Sequence, residues 1–250
     1  MAGHSHWANI THKKGANDAK KAAVITKMGK LIKVAVQLGG PDLDTNPRLR
    51  LAIAKARAQN MTKDAIERAI KKAAGDAEDG KRMEELVYEG YAAGGVAVVV
   101  EAMTDNRNRT APEIKKLFER AGGSMGAPGC VSWQFNLKAV FLVESDDEDR
   151  VLEALLEGDA DAEDVAVSDD GQVTVTAAPE AYEAVTEALN AAGIDIVSSD
   201  LTKVPDNDSV IDDLELAQKV QRLLDALDEH DDVSAVATNF APSSEVAAQL

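Results

Sequence analysis

Between residues 139 and 203 the chain spells out six short elements whose order leaves little freedom of fold. Val140 to Glu144 is a compact apolar run with strand character, and Arg150 to Leu156 carries apolar residues at helical spacing. Asp164 to Val167 and Gln172 to Thr176 are strands joined by a turn at Asp169-Asp170-Gly171. Glu180 to Ala192 is a helix closed by Gly193, and Ile194 to Ser198 is a strand running on toward Val204. The order β-α-β-β-α-β is the split βαβ of ferredoxin-like folds.

The flanks of this unit are incomplete separately and complementary together. Before it come a valine-rich strand at Gly95 to Met103, a helix ending at Gly122 and a strand at Cys130 to Phe135. After it come a strand near Leu201 to Val204, a helix at Leu214 to Leu227 and a strand at Val233 to Thr238. These also read β-α-β, β-α-β. The 138–203 domain is therefore expected to be inserted in a discontinuous domain made of 76–137 plus 204–250, because closely spaced termini tolerate insertion.

Residues 1–75 have a different character. Asn46 is placed to cap a helix with Pro47 at its first position, and Leu49, Ile53 and Ala56 form its apolar stripe. Thr62 caps the next helix, with Met61 and Ile66 as a hydrophobic staple. The fold class expected is α+β: a basic helical N-terminal domain followed by two ferredoxin-like α/β domains.

Charge follows the same divisions. Residues 1–75 carry a net +10, residues 76–142 a net −2 and residues 143–250 a net −25, in a chain of net −17. One end suits a polyanionic partner and the other repels it. The acidic end also suits a protein that works in high salt.

The basic end contains two candidate contact surfaces. The lead-in holds His6, Trp7, Lys13 and Lys14, with Lys20 and Lys21 just after. In the helix that follows, Val24, Ile25, Met28, Leu31, Ile32, Ala35 and Val36 share one side, and Gly39 is the expected stop. Lys27, Lys30 and Lys33 lie opposite, as a ribbon of ammonium groups able to neutralise phosphates. The plainer alternative is a solvated lysine face. Trp7 is either a stacking group for a base or an anchor for the arm. Removal of Met1 would leave Ala2-Gly3-His4, a pattern that chelates Cu(II) or Ni(II), taken here as incidental.

Further on, Thr104-Asp-Asn-Arg-Asn-Arg-Thr110 joins a strand to a helix whose capping box is Thr110-Ala-Pro-Glu113. As a loop it presents Asn106, Arg107, Asn108 and Arg109, donors suited to phosphates and base edges. The alternative is local pairing of the arginines with acids.

Catalytic patterns are missing. There is no Walker loop, no zinc-type Cys/His spacing and no nucleophile elbow. Gly122 to Gly129 lacks a phosphate-loop lysine and reads as a flexible connection. Asp146-Asp147 and Asp231-Asp232 read as solvated turns. The expectation is a protein without enzymatic activity, cofactor or metal. Cys130 alone excludes an internal disulfide and suits the cytoplasm, and no apolar run is long enough for a membrane span.

Gly3-His-Ser-His-Trp-Ala-Asn-Ile, Asn46-Pro-Arg-Leu-Arg, Asn60 to Ile70, Tyr88-Glu-Gly-Tyr91 and the Thr104–Thr110 segment together resemble the YebC/PmpR family over essentially the whole chain. The match departs at His6, Ala22-Ala23 and Ala92-Ala93. The resemblance implies three domains and a cytoplasmic DNA-binding transcriptional regulator. Some relatives are described as translational activators or ribosome-associated factors, so structured RNA or the ribosome is the alternative partner. A protein-interaction scaffold, docking its basic arm on an acidic protein, is the third reading.

Overall fold

The structure is a computed structural model that describes residues 18–78, 82–145, 147–167 and 172–250. His6, Trp7, Lys13 and Lys14 lie outside the described residues, and so do the side chains of Lys20 and Lys21. The described residues divide into two compact units. One holds the described residues up to Ser132 together with Asp212–Val236 and Glu245–Leu250. The other holds Trp133–Ile211 and Ala237–Ser244.

The first unit opens with helices α1 (Asp18–Gly39), α2 (Pro47–Ala58) and α3 (Lys63–Glu78). The junction of α1 and α2 is built on one asparagine. Asn46 Oδ1 accepts from the Leu49 N–H (2.9 Å), and its Nδ2 donates to the carbonyls of Ala35 and Gly40 (2.8 Å each). Asn46 thus caps α2 and pins the end of α1, while Pro47 fills the first helical position as its fixed φ favours. Met61 and Ile66 enter one core with Ile32, Val36, Leu49 and Ile53. Helix α1 is also apolar on a second side: Val34 is buried against Met83 and Met103.

The same unit carries a sheet of order β3-β1-β2-β9, from β1 (Glu84–Tyr91), β2 (Ala97–Thr104), β3 (Ser124–Met125) and β9 (Val233–Thr238). Strands β1 and β2 form a hairpin in register from Glu84↔Thr104 to Tyr91↔Ala97. Helix α4 (Arg107–Arg120) follows β2, and α7 (Leu214–Asp228) precedes β9. This differs from two βαβ halves. Strand β1 was not expected, and its buried Glu89 explains why it is hard to read. That carboxylate accepts backbone N–H bonds from Gly129 (2.7 Å), Val131 (2.9 Å) and Ser132 (2.8 Å). The bonds also hold the stretch expected to be a flexible connection. Ser132–Gln134 is a 3₁₀ turn, so Cys130 lies in a turn and the expected strand from it does not form. Burial, followed by the Glu89 charge, pushes the Cys130 thiol pKa up.

The second unit contains β4 (Phe135–Val143), α5 (Glu148–Glu157), β5 (Asp164–Val167), β6 (Val173–Ala177), α6 (Tyr182–Ala191) and β7 (Ile196–Pro205). The sheet order β5-β6-β4-β7, with all three pairings antiparallel, is that of a ferredoxin-like βαββαβ unit. Ala139, Phe141 and Val143 point to the helices, where they meet Val151, Leu155, Val185 and Leu189. Helices α5 and α6 approach closely at Gly158, where an added Cβ would lie 2.4 Å from the Ala188 Cβ. Strand β4 begins at Phe135, and β7 runs to Pro205. The residues near Leu201 to Val204 therefore pair with β4 in this unit and supply no strand to the other sheet. A short parallel pair, β8 (Ser209–Ile211) and β10 (Phe240–Pro242), completes the unit.

Candidate nucleic-acid interface

The segment from Thr104 to Thr110 is folded more tightly than a loop. Asn106 Oδ1 accepts from the Arg109 N–H (3.2 Å), so the N-cap of α4 is Asn106, not Thr110. Asn and Thr both cap well, but the earlier cap lets Thr110 turn inward, where it is fully buried. Arg107, Asn108 and Arg109 consequently occupy the first helical turn, and Asn106 is spent on the cap.

Thr110 turns toward Asp232, which links three elements. Asp232 Oδ2 receives Thr110 Oγ1 (2.7 Å), Arg109 Nη2 (2.9 Å) and Thr104 Oγ1 (3.2 Å). Its Oδ1 receives Lys30 Nζ from α1 (2.5 Å). The carboxylate side chain is only 4% exposed, so of the expected solvated turn Asp231-Asp232 only Asp231 is exposed. Burial alone would raise this carboxyl's pKa. Hydrogen bonds from Lys30, Thr110 and Arg109, and the Lys30 charge, outweigh it and hold the group far below the usual carboxylate range.

Lys27, Lys30 and Lys33 of α1 are also engaged. Lys27 Nζ donates to the Asp228 carbonyl at the end of α7, with the Asp228 carboxylate 3.6 Å away. Lys30 donates in addition to the Asp231 carbonyl (2.7 Å), and Lys33 pairs with Asp76 (2.8 Å). Their side chains are 12%, 21% and 23% exposed. The ribbon of solvent-facing ammonium groups is therefore absent from this structure, because the lysine side of α1 faces protein. Val34 is the sequence signal for this. At 100° per residue it falls between Lys27 and Lys30, an apolar group on the side assigned to solvent.

Lys27, Lys30 and Arg109 thus converge on the turn at 228–232, and Lys33 stands apart. Arg107 and Asn108 are exposed, and no ion pair of Arg107 forms among the described residues. Beside it the Tyr88 hydroxyl is buried with no hydrogen-bond partner. Burial raises its pKa, against the opposing effect of the Arg107 charge. An open groove of about 810 Å³ next to the turn is lined by Lys30, Arg109, Glu113, Lys116, Arg120 and His230. Elsewhere in the first unit Arg50, Arg57, Arg68, Lys71 and Lys72 are exposed on α2 and α3. Sequence reasoning missed Asp232, Thr104 and Thr110, whose roles depend on partners far away in the chain.

Residues 5–76 match the family model described as the TACO1/YebC protein N-terminal domain, and residues 83–240 match that of the TACO1/YebC second and third domain. A protein of Halothermothrix orenii is 46% identical over 100% of this chain and 99% of its own. One of Treponema pallidum is 49% identical over 98% of this chain and 99% of its own. Both carry the name probable transcriptional regulatory protein. In three dimensions the chain is similar to a conserved hypothetical protein of Aquifex aeolicus, solved by crystallography. The TM-score is 0.85 at 45% identity, covering 97% of this chain and 99% of that one.

Proposed function

The chain belongs to the TACO1/YebC family, and from that premise we propose that it is a non-enzymatic, cytoplasmic transcriptional regulator that binds DNA through phosphate contacts of its basic N-terminal domain. The observation that carries the DNA reading is the segregation of charge: a net +10 in residues 1–75 of a chain of net −17. An end with net positive charge neutralises a phosphate backbone while the net acidic remainder is repelled by it. The names of the full-length relatives support the regulatory part. Among the described residues no helix is long and apolar enough to cross a membrane.

In this reading the first contacts are the exposed cations of α2 and α3, with Arg107 at the N-terminus of α4. Two features favour an anion there: the first turn of a helix points free N–H groups outward, and its dipole adds positive potential. A ribosome-associated factor gripping structured RNA is the second reading. It is favoured by the scatter of these cations over helix ends and separate helices, without a single exposed recognition helix.

A titration of the full chain with duplex DNA over a series of salt concentrations tests the proposal. Binding should weaken linearly in log–log form as salt rises. Arg107→Glu should lower the magnitude of the slope by roughly 0.9 for the lost contact. Binding indifferent to salt would contradict the phosphate reading, and an unchanged slope in Arg107→Glu would remove the α4 terminus from the interface.

A further inference from the structure

The densest described row of lysines in this protein is already occupied by an anion of its own. Lys27 bonds the carbonyl of Asp228, the last residue of α7, with that residue's carboxylate close by. The carbonyl end of a helix carries partial negative charge, which adds to the carboxylate. Lys30 bonds the Asp231 carbonyl and the Asp232 carboxylate. Oxygens of the 228–232 turn thus stand where phosphate oxygens would stand if the lysines met nucleic acid.

Two details distinguish this contact from a fixed structural bridge. The Asp228 carboxylate is 55% exposed and sits 3.6 Å from Lys27, so that half of the contact is open to water and weak. On the other half, departure of Lys30 would not strand Asp232. Thr104, Thr110 and Arg109 would still donate to its Oδ2. A buried carboxylate left without donors would resist release strongly, and this one keeps three. The lysines can exchange partners without that penalty.

We infer that the 228–232 turn is an acidic clasp, an intramolecular competitor that covers Lys27 and Lys30 until a polyanion displaces it. The inference rests on the nucleic-acid reading proposed above and adds its regulation. The protein would hold a reserve of cations that weak or sparse anions do not reach. A dense phosphate backbone recruits them, raising the number of contacts once it is bound.

The test is a fluorescence titration of the full chain with labelled duplex DNA at several salt concentrations. The variant is Asp232→Asn, which removes the carboxylate charge from Lys30 at nearly constant shape. Its control is Glu153→Gln on α5, an exposed residue whose change alters net charge equally. The clasp predicts that Asp232→Asn binds roughly tenfold tighter than the control at a similar slope, because duplex DNA recruits Lys30 in both and only the cost of displacing the carboxylate is gone. Affinity equal to the control's would overturn the clasp. Thermal melting checks that Asp232→Asn is folded. If it is not, Asp228→Asn, which removes the carboxylate beside Lys27, decides against Glu157→Gln by whether affinity rises above the control's. Salt-dependent binding by wild type with no gain in these variants overturns the clasp alone. If wild type and variants all fail to bind DNA, the DNA reading falls and the clasp with it.

Discussion

Asp232 is held by four side chains from three elements, and its removal should be felt by the whole first unit. Asp232→Ala leaves Lys30 without its carboxylate and Thr104 and Thr110 without a shared acceptor. Loss of a buried ionic partner typically costs about 3–5 kcal/mol, measurable as a fall in the urea midpoint. The same group sets a pH dependence. Its folded pKa is depressed. Its stabilisation is therefore complete above the unfolded value of about 3.9 and drains away as pH falls toward the depressed folded value. Asp232→Asn should flatten that part of the acid limb of a stability-against-pH curve, and an unaltered limb would contradict the assignment. Glu89 acts with the same sign. Burial pushes its carboxyl up, but the N–H bonds of Gly129, Val131 and Ser132 bring it below its ordinary range. None of this was legible from His230-Asp231-Asp232, a polar run that looks solvated. Residues 30, 104, 109 and 110 converge on it only after folding. Arg109 illustrates the point. It was expected to offer its guanidinium to a ligand, but it pairs with Asp105 and Asp232. Arg107 and Arg109 are both exposed, and it is Arg109 that the acids hold.

Most local signals survived where the partner was close in sequence, the Thr110 cap excepted. The Asn46-Pro47 start, the Met61–Ile66 packing and the whole run from α5 to α6 could be placed from spacing and turn residues alone. Longer-range pairing could not. Strand β1 has charged residues at Glu84, Glu85 and Glu89, and its status depends on β2 and on the turn that satisfies Glu89. The expected strand at Val140 to Glu144 is shorter than β4 because Phe135 reads as the end of a strand from Cys130. This has a measurable consequence. A fragment of residues 138–204 loses the pairs Phe135↔Pro205, Asn136↔Val204 and Leu137↔Lys203. We expect residues 133–207 to melt cooperatively in isolation, at a higher temperature than residues 138–204. Equal melting temperatures would show that the first turn of pairing in β4 and β7 contributes nothing. A fragment of residues 76–132 lacks α7 and β9 and should not melt cooperatively.

For the molecule as a whole, charge is the property most legible in the sequence and the one on which function turns. The basic end, the acidic end and the absence of catalytic patterns needed no structure. The structure adds that Lys27, Lys30 and Lys33, the most conspicuous cations, are paired internally, which shifts attention to α2, α3 and Arg107. DNA binding by this end is the central claim. Its most direct test is a competition at matched salt, with the full chain bound to labelled duplex DNA and purified ribosomes added in equal concentration. The DNA reading predicts that the duplex stays bound, and that raising the salt releases it along a straight log–log line. Removal of the duplex by ribosomes at that concentration would contradict it.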